Sequence, residues 1–188
     1  TRTGGWIYTV HFTPDFKKDK DTGKKYDFYN KPYGMQHWMN AHKSASSNTV
    51  SDKTVVAIID PDFLFLRPLT SMVDESDHVR PGRPAGQLYG LQAPWASERN
   101  RDTTLRTKKG DNNYFDVKDI CGEGSPCFDV SVGEGIAHYA IGPPYIIHVK
   151  DFGRLVNTWV EMVPKVYKGY PHLLAEMYAY CLAAAHQN

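Results

Sequence analysis

Apolar and polar positions alternate along residues 6–12, which are rich in β-forming side chains and predict a strand. Residues 13–27 are charged and carry Pro14 and Gly23, the pattern of a long exposed loop. The period then becomes helical. Asn30 suits an N-cap, Pro32 fits the first turn, and Met35, Trp38 and Met39 share one face of a helix reaching about Lys43. A polar linker over 44–52 leads to the unbroken apolar run 54–59, the pattern of a central strand covered on both faces. Asp60-Pro61-Asp62 ends that run, and a second apolar stretch, 63–66, closes at Arg67-Pro68. Residues 84–91 and 145–149 read as further strands, with 93–120 polar and without a clear period. Residues 152–163 are amphipathic, and 173–186, rich in Ala, Leu and Tyr, form a last helix. Strands interleaved with helices predict one α/β domain over 1–188, a layered sheet flanked by helices.

Composition narrows the picture slightly. The 188 residues are 41% hydrophobic and 23% charged, which suits a globular domain with a real core. A net charge of +1 supplies no bulk attraction to nucleic acid or an anionic membrane. No apolar run is long enough to span a bilayer, so membrane anchoring would need segments outside this sequence. The chain opens at Thr1 without initiator Met or signal peptide, as expected of a processed chain or part of a longer one. Three cysteines lack zinc-site spacing. Cys121 and Cys127 flank a turn-rich spacer that could close a small disulfide loop, whereas Cys181 sits in an apolar helical pattern.

The candidate chemistry begins at the end of the 54–59 strand. Two carboxylates one residue apart, just past a buried strand, can hold a hard divalent cation such as Mn²⁺ or Mg²⁺, and that ion can bridge phosphate oxygens. Ligands in open α/β sheets gather at strand carboxyl ends, where Asp60 and Asp62 sit. The competing reading is a turn, since Asp favours such positions. Asp19-Lys20-Asp21 repeats the spacing in a charged loop with no strand before it, and serves as an internal control.

The surroundings of Asp60 carry a resemblance. Tyr29-Asn30-Lys31-Pro32, then Trp38, then the run from Val55 through Asp60-Pro61-Asp62 to Arg67-Pro68-Leu69, resemble the plant and algal peptidyl serine α-galactosyltransferases. They are also similar to the hydroxyproline O-arabinosyltransferases. Gly82-Arg83-Pro84, Tyr89-Gly90, the stretch from Tyr145 to Asp151, Ala175-Glu176-Met177-Tyr178-Ala179-Tyr180 and Ala183-Ala184-Ala185 agree in order. The resemblance implies a GT-A (Rossmann-like) fold, a UDP-sugar donor, a divalent metal and a Ser- or hydroxyproline-rich protein acceptor in the Golgi or ER lumen. It also implies a strand-and-helix segment before residue 6 that this sequence lacks.

Asp60 and Asp62 are therefore the expected metal ligands. Asn30 and Lys31 open a helix whose amides and ammonium can hold diphosphate oxygens, or they are an N-cap beside a surface Lys. Glu176, placed like the acidic motif of GT-A enzymes, is the candidate catalytic acid that orients hydroxyls; otherwise it is a helix-start acid favoured by the macrodipole. His148 is a candidate donor contact, with a satisfied core residue as the competing reading. His186 is a further candidate for the metal shell. Together these predict sugar transfer, galactose favoured and with retention, to Ser or hydroxyproline. The rival is a glycosyltransferase-like domain without catalysis that serves as a structural or interaction module. A metal-dependent hydrolase would share the carboxylates but leave the Asn30-Lys31 helix start unexplained.

Overall fold

The structure is a computed structural model that describes residues 10–44, 50–64, 79–101 and 114–188. Its elements run α1 (Asn30–Ser44), β1 (Val55–Ile58), β2 (Ala85–Leu88), short turns of helix α2 (Glu98–Arg101), α3 (Val117–Cys121) and α4 (Val132–Glu134), then β3 (Ile141–His148), α5 (Val149–Gly169) and α6 (Ala175–His186). The fold is mixed α/β, with a small three-stranded antiparallel sheet in the order β1-β3-β2. Most of the strand expected over 6–12 lies outside the described residues, as do 65–78, and positions 10–12 carry no regular element.

The strand covered on both faces is β3, not β1. Among the described residues β1 is an edge strand, and Val55 is 44% exposed. An apolar run tells a strand from a loop, but not the centre of a sheet from its rim. β3 also begins four residues earlier than its pattern predicts, because Pro143 and Pro144 disguise it. Neither proline is needed in a ladder. β1 pairs only with Tyr145–His148, and the irregularity between Gly86 and Gln87 carries β2 from Tyr145 to Gly142. The missing N–H groups therefore break no inter-strand bond.

α5 follows an i, i+3, i+4 stripe: Phe152, Val156, Trp159, Val163 and Val166 are all buried. That stripe carries the helix through Pro164, where the pattern suggests an end, because burying Val166 outweighs one lost backbone bond. α6 is buried almost all round, and its alanines let it lie close against α5 and β3. Tyr145 of β3 stacks on Tyr180 of α6 at 3.8 Å between ring centroids, with Trp159 edge-on to both. Truncating Trp159 to Ala at this junction would cost ~3–5 kcal/mol. The packing fixes the start of α6 beside the carboxyl end of β1. No helix among the described residues is long and apolar enough to cross a membrane.

Candidate functional site

Asp60 stands two residues past Ile58, the last residue of β1. Its carbonyl accepts from the Phe63 amide at 3.1 Å, so Asp60-Pro61-Asp62-Phe63 is a β-turn with Pro at its second position. The turn holds the Asp60 side chain at the strand end, 31% exposed, and leaves Asp62 exposed.

Lys31 comes to Asp60 from the first turn of α1, and its Nζ lies 2.8 Å from Asp60 Oδ1. The same ammonium lies 3.4 Å from Glu176 Oε2, so one lysine joins two acids that are far apart in the chain. Asn30 does not share this role. Its Oδ1 accepts from the Phe16 amide at 2.8 Å and its own amide is directed at the Phe28 carbonyl, while Pro32 has no N–H. Of the two candidates at the start of α1, the Lys31 side chain is the one placed at Asp60.

Glu176 differs from expectation. An acid that orients sugar or acceptor hydroxyls must open to a cleft, yet Glu176 is only 2% exposed and lies behind Lys31. Its backbone is held from two sides: the amide donates to Tyr26 Oη at 2.9 Å, and the carbonyl accepts from Trp159 Nε1 at 2.9 Å. Tyr26 in turn donates its hydroxyl to the Leu173 carbonyl at 2.7 Å. Burial pushes the Glu176 carboxyl up to about 7; Lys31 opposes the shift and the nearby Asp60 charge adds to it. Glu176 Oε1 is buried without a hydrogen-bond partner among the described residues, and so is Tyr145 Oη. Burial, and next the Glu176 charge, holds the Tyr145 phenol well above its ordinary range.

Tyr145 and Tyr26 are the residues that sequence reasoning missed. Tyr145 pairs with Ile58, which places it beside the end of β1, but this register is invisible without knowing the strands are antiparallel. Tyr26 lies in a charged loop with no pattern to single it out.

His148 does not join the group. It closes β3 rather than sitting in its middle, and it pairs with Val55, three ladder positions or roughly 10 Å from the Ile58 pair. Its Nδ1 accepts from the Lys150 amide at 3.3 Å and caps α5. His186 also lies elsewhere, hydrogen-bonded to Ser125 at 2.8 Å, ten residues or roughly 15 Å along α6 from Glu176. Cys121 and Cys127 are buried with their Sγ atoms 2.7 Å apart, and Cys181 is buried against the Ile141 carbonyl. Of the aromatic residues at helical spacings, Trp159, Tyr178 and Tyr180 are core residues, and Trp38 packs half-buried against the core.

Among the described residues no three His, Cys, Asp or Glu side chains group to hold a metal. Asp60 and Asp62 offer a two-carboxylate set whose remaining ligands would be water or phosphate, as hard cations accept. Their chemistry fits a cation, and Asp60 already draws one in the form of the Lys31 ammonium. A cavity of about 400 Å³ between α1 and α5, lined by Trp38, His42 and Arg154, and one of about 430 Å³ lined by Arg83, His138 and Asp151, lie away from this group. No protein-family model, curated protein or solved structure matches this chain.

Proposed function

We propose that this chain is the donor-binding part of a metal-dependent, GT-A-type glycosyltransferase that moves a sugar, galactose favoured, from a UDP-sugar to a Ser or hydroxyproline of a protein acceptor. One observation carries the reading: Asp60, Lys31 and Glu176, distant in sequence, meet at the carboxyl end of a sheet strand. A helix-start acid with a merely local role has no reason to be there.

Asp60 and Asp62 would hold Mn²⁺ or Mg²⁺, which supplies charge neutralisation on a departing diphosphate. Lys31 supplies a second positive charge close by, on the Glu176 side of Asp60. Glu176, too buried to touch a sugar in this arrangement, acts as a positioning residue that fixes the Lys31 ammonium. In the transfer the acceptor oxygen bonds to the anomeric carbon as the bond to the diphosphate breaks. The hydroxyl proton passes to the leaving phosphate oxygen, so the step needs no strong protein base. Cys121 and Cys127 are free thiols here, and in a secretory lumen so close a pair would be expected to oxidise to a disulfide.

Calorimetry of UDP binding with and without Mn²⁺ tests the reading, with binding expected to be at least tenfold tighter when Mn²⁺ is present. Equal affinity in both conditions, or none in either, rejects it. The burial of Glu176 favours a second reading, a glycosyltransferase-like module with a structural role, and that second result is the one it predicts.

A further inference from the structure

The Lys31 ammonium stands where two roles conflict. At 2.8 Å from Asp60 Oδ1 it occupies the carboxylate that the proposed cation would use. An ammonium and a divalent cation cannot both sit against that oxygen without strong repulsion. A displaced ammonium also needs somewhere to go. It is only 18% exposed, so moving it to bulk water would require its stem to leave its packing. The other acid in reach is Glu176, whose Oε2 is 3.4 Å away, too long for a good charge-assisted bond, and whose Oε1 is buried and unpartnered. The longer contact can tighten when the shorter one is lost.

We propose that Lys31 is a built-in counter-ion that competes with the divalent cation for Asp60, and that Glu176 is the cradle into which the ammonium withdraws when the cation binds. The proposal deepens the glycosyltransferase reading and rests on it for the cation alone. In the free protein Lys31 keeps the carboxyl end of β1 neutralised; cation entry moves its charge a short way inward. Cation affinity is then set by two residues that are not its ligands. Replacing Glu176 by Gln leaves Asp60 as the only carboxylate partner of Lys31 and strengthens the competitor. Replacing both Lys31 and Glu176 removes the competitor and, above pH 7 where Glu176 is ionised, removes one charge of each sign, so that the net charge stays as in the parent protein.

The test is Mn²⁺ binding, measured by calorimetry on the full 188-residue chain without nucleotide, for the parent, Glu176→Gln and the Lys31→Met/Glu176→Gln double variant. Competition predicts binding several-fold weaker in Glu176→Gln and about tenfold tighter in the double variant than in the parent. At pH 8, where Glu176 is ionised, simple charge counting predicts no change in the double variant, because it loses one charge of each sign. Equal or weaker binding by the double variant overturns the proposal and leaves the cation site standing. Absence of Mn²⁺ binding by all three proteins rejects both the site and the proposal. A second measurement keeps the question open should the double variant misfold. In the ¹⁵N-lysine-labelled parent, the Lys31 ammonium signal should shift on Mg²⁺ addition and saturate with the binding isotherm. A Lys31 signal unmoved at saturating Mg²⁺ overturns the proposal.

Discussion

Two Asp-x-Asp triplets share a spacing and a turn of backbone, and differ in what their first acid reaches. In Asp19-Lys20-Asp21 the first acid is buried, and its Oδ1 accepts from the Asp21 amide at 3.2 Å, and from the Thr22 amide and hydroxyl at 2.6 Å each. The Thr22 hydroxyl bond leads the interactions that hold its carboxyl below the usual range. All of these partners are within three residues, so the triplet is a closed local turn. In Asp60-Pro61-Asp62 the backbone closes a turn too, but the Asp60 carboxylate reaches out to Lys31, and through it the group extends to Glu176, 145 residues further on. Spacing says nothing about function; what distinguishes the two is whether the acid is satisfied by its own turn or by a distant part of the chain.

The comparison can be sharpened most by Glu176. It ionises near 7 in the folded protein against an ordinary 4.5. The folded state therefore holds a proton that the unfolded chain releases between those values, so stability falls as pH rises through that window and levels off above it. Thermal unfolding from pH 4 to 8 should show a loss of up to about 3 kcal/mol, absent in Glu176→Gln. A parent and variant with the same pH profile would mean that Glu176 is not the buried acid described. Next is Asp19→Ala, which removes the acceptor of three bonds. It should cost about 2 kcal/mol in urea unfolding and leave Mn²⁺-dependent UDP binding untouched. A loss of binding there would erase the distinction between the triplets. Asp62→Asn should do the reverse, weakening Mn²⁺-dependent UDP binding about tenfold, or about 1.4 kcal/mol, with little change in stability. The smallest expected effect is that of Asp21→Asn: no change in either measurement. Matching behaviour of Asp21→Asn and Asp62→Asn would break the comparison outright.

The helices were legible for different reasons: α5 from the strong period of its Trp159 stripe, α1 from its Asn30 and Pro32 start signals, and α6 from its run of Ala, Leu and Tyr, which is buried almost all round. β1 and its turn were legible too. The short helical turns between 94 and 134 were not, since three to five residues give no period to read. Sheet order and register were also hidden, and with them the positions of His148 and Tyr145 relative to Asp60. Of the candidate site, Lys31, Asp60 and Glu176 come together, while Asn30 spends its side chain on Phe16 and His148 spends its own on a helix cap. Polar side chains have many local uses, and only three-dimensional context shows which use has been taken.

The hydroxyl of Tyr26 joins residue 26 to both Leu173 and Glu176, and the Lys31–Glu176 contact spans a similar distance along the chain. Such closures have consequences in time as well as space. Each doubling of loop length adds only about 0.6 kcal/mol of closure entropy, but long-range contacts of this kind slow folding because they form only after most of the chain has been ordered. A ribosome that has delivered α1 and β1 has made Lys31 and Asp60 without the acid that completes the group. Until Glu176 emerges, Lys31 has Asp60 to pair with but not the buried acid behind it. The ion triad is thus a late marker of folding, and its assembly reports that the two ends of the described chain have met.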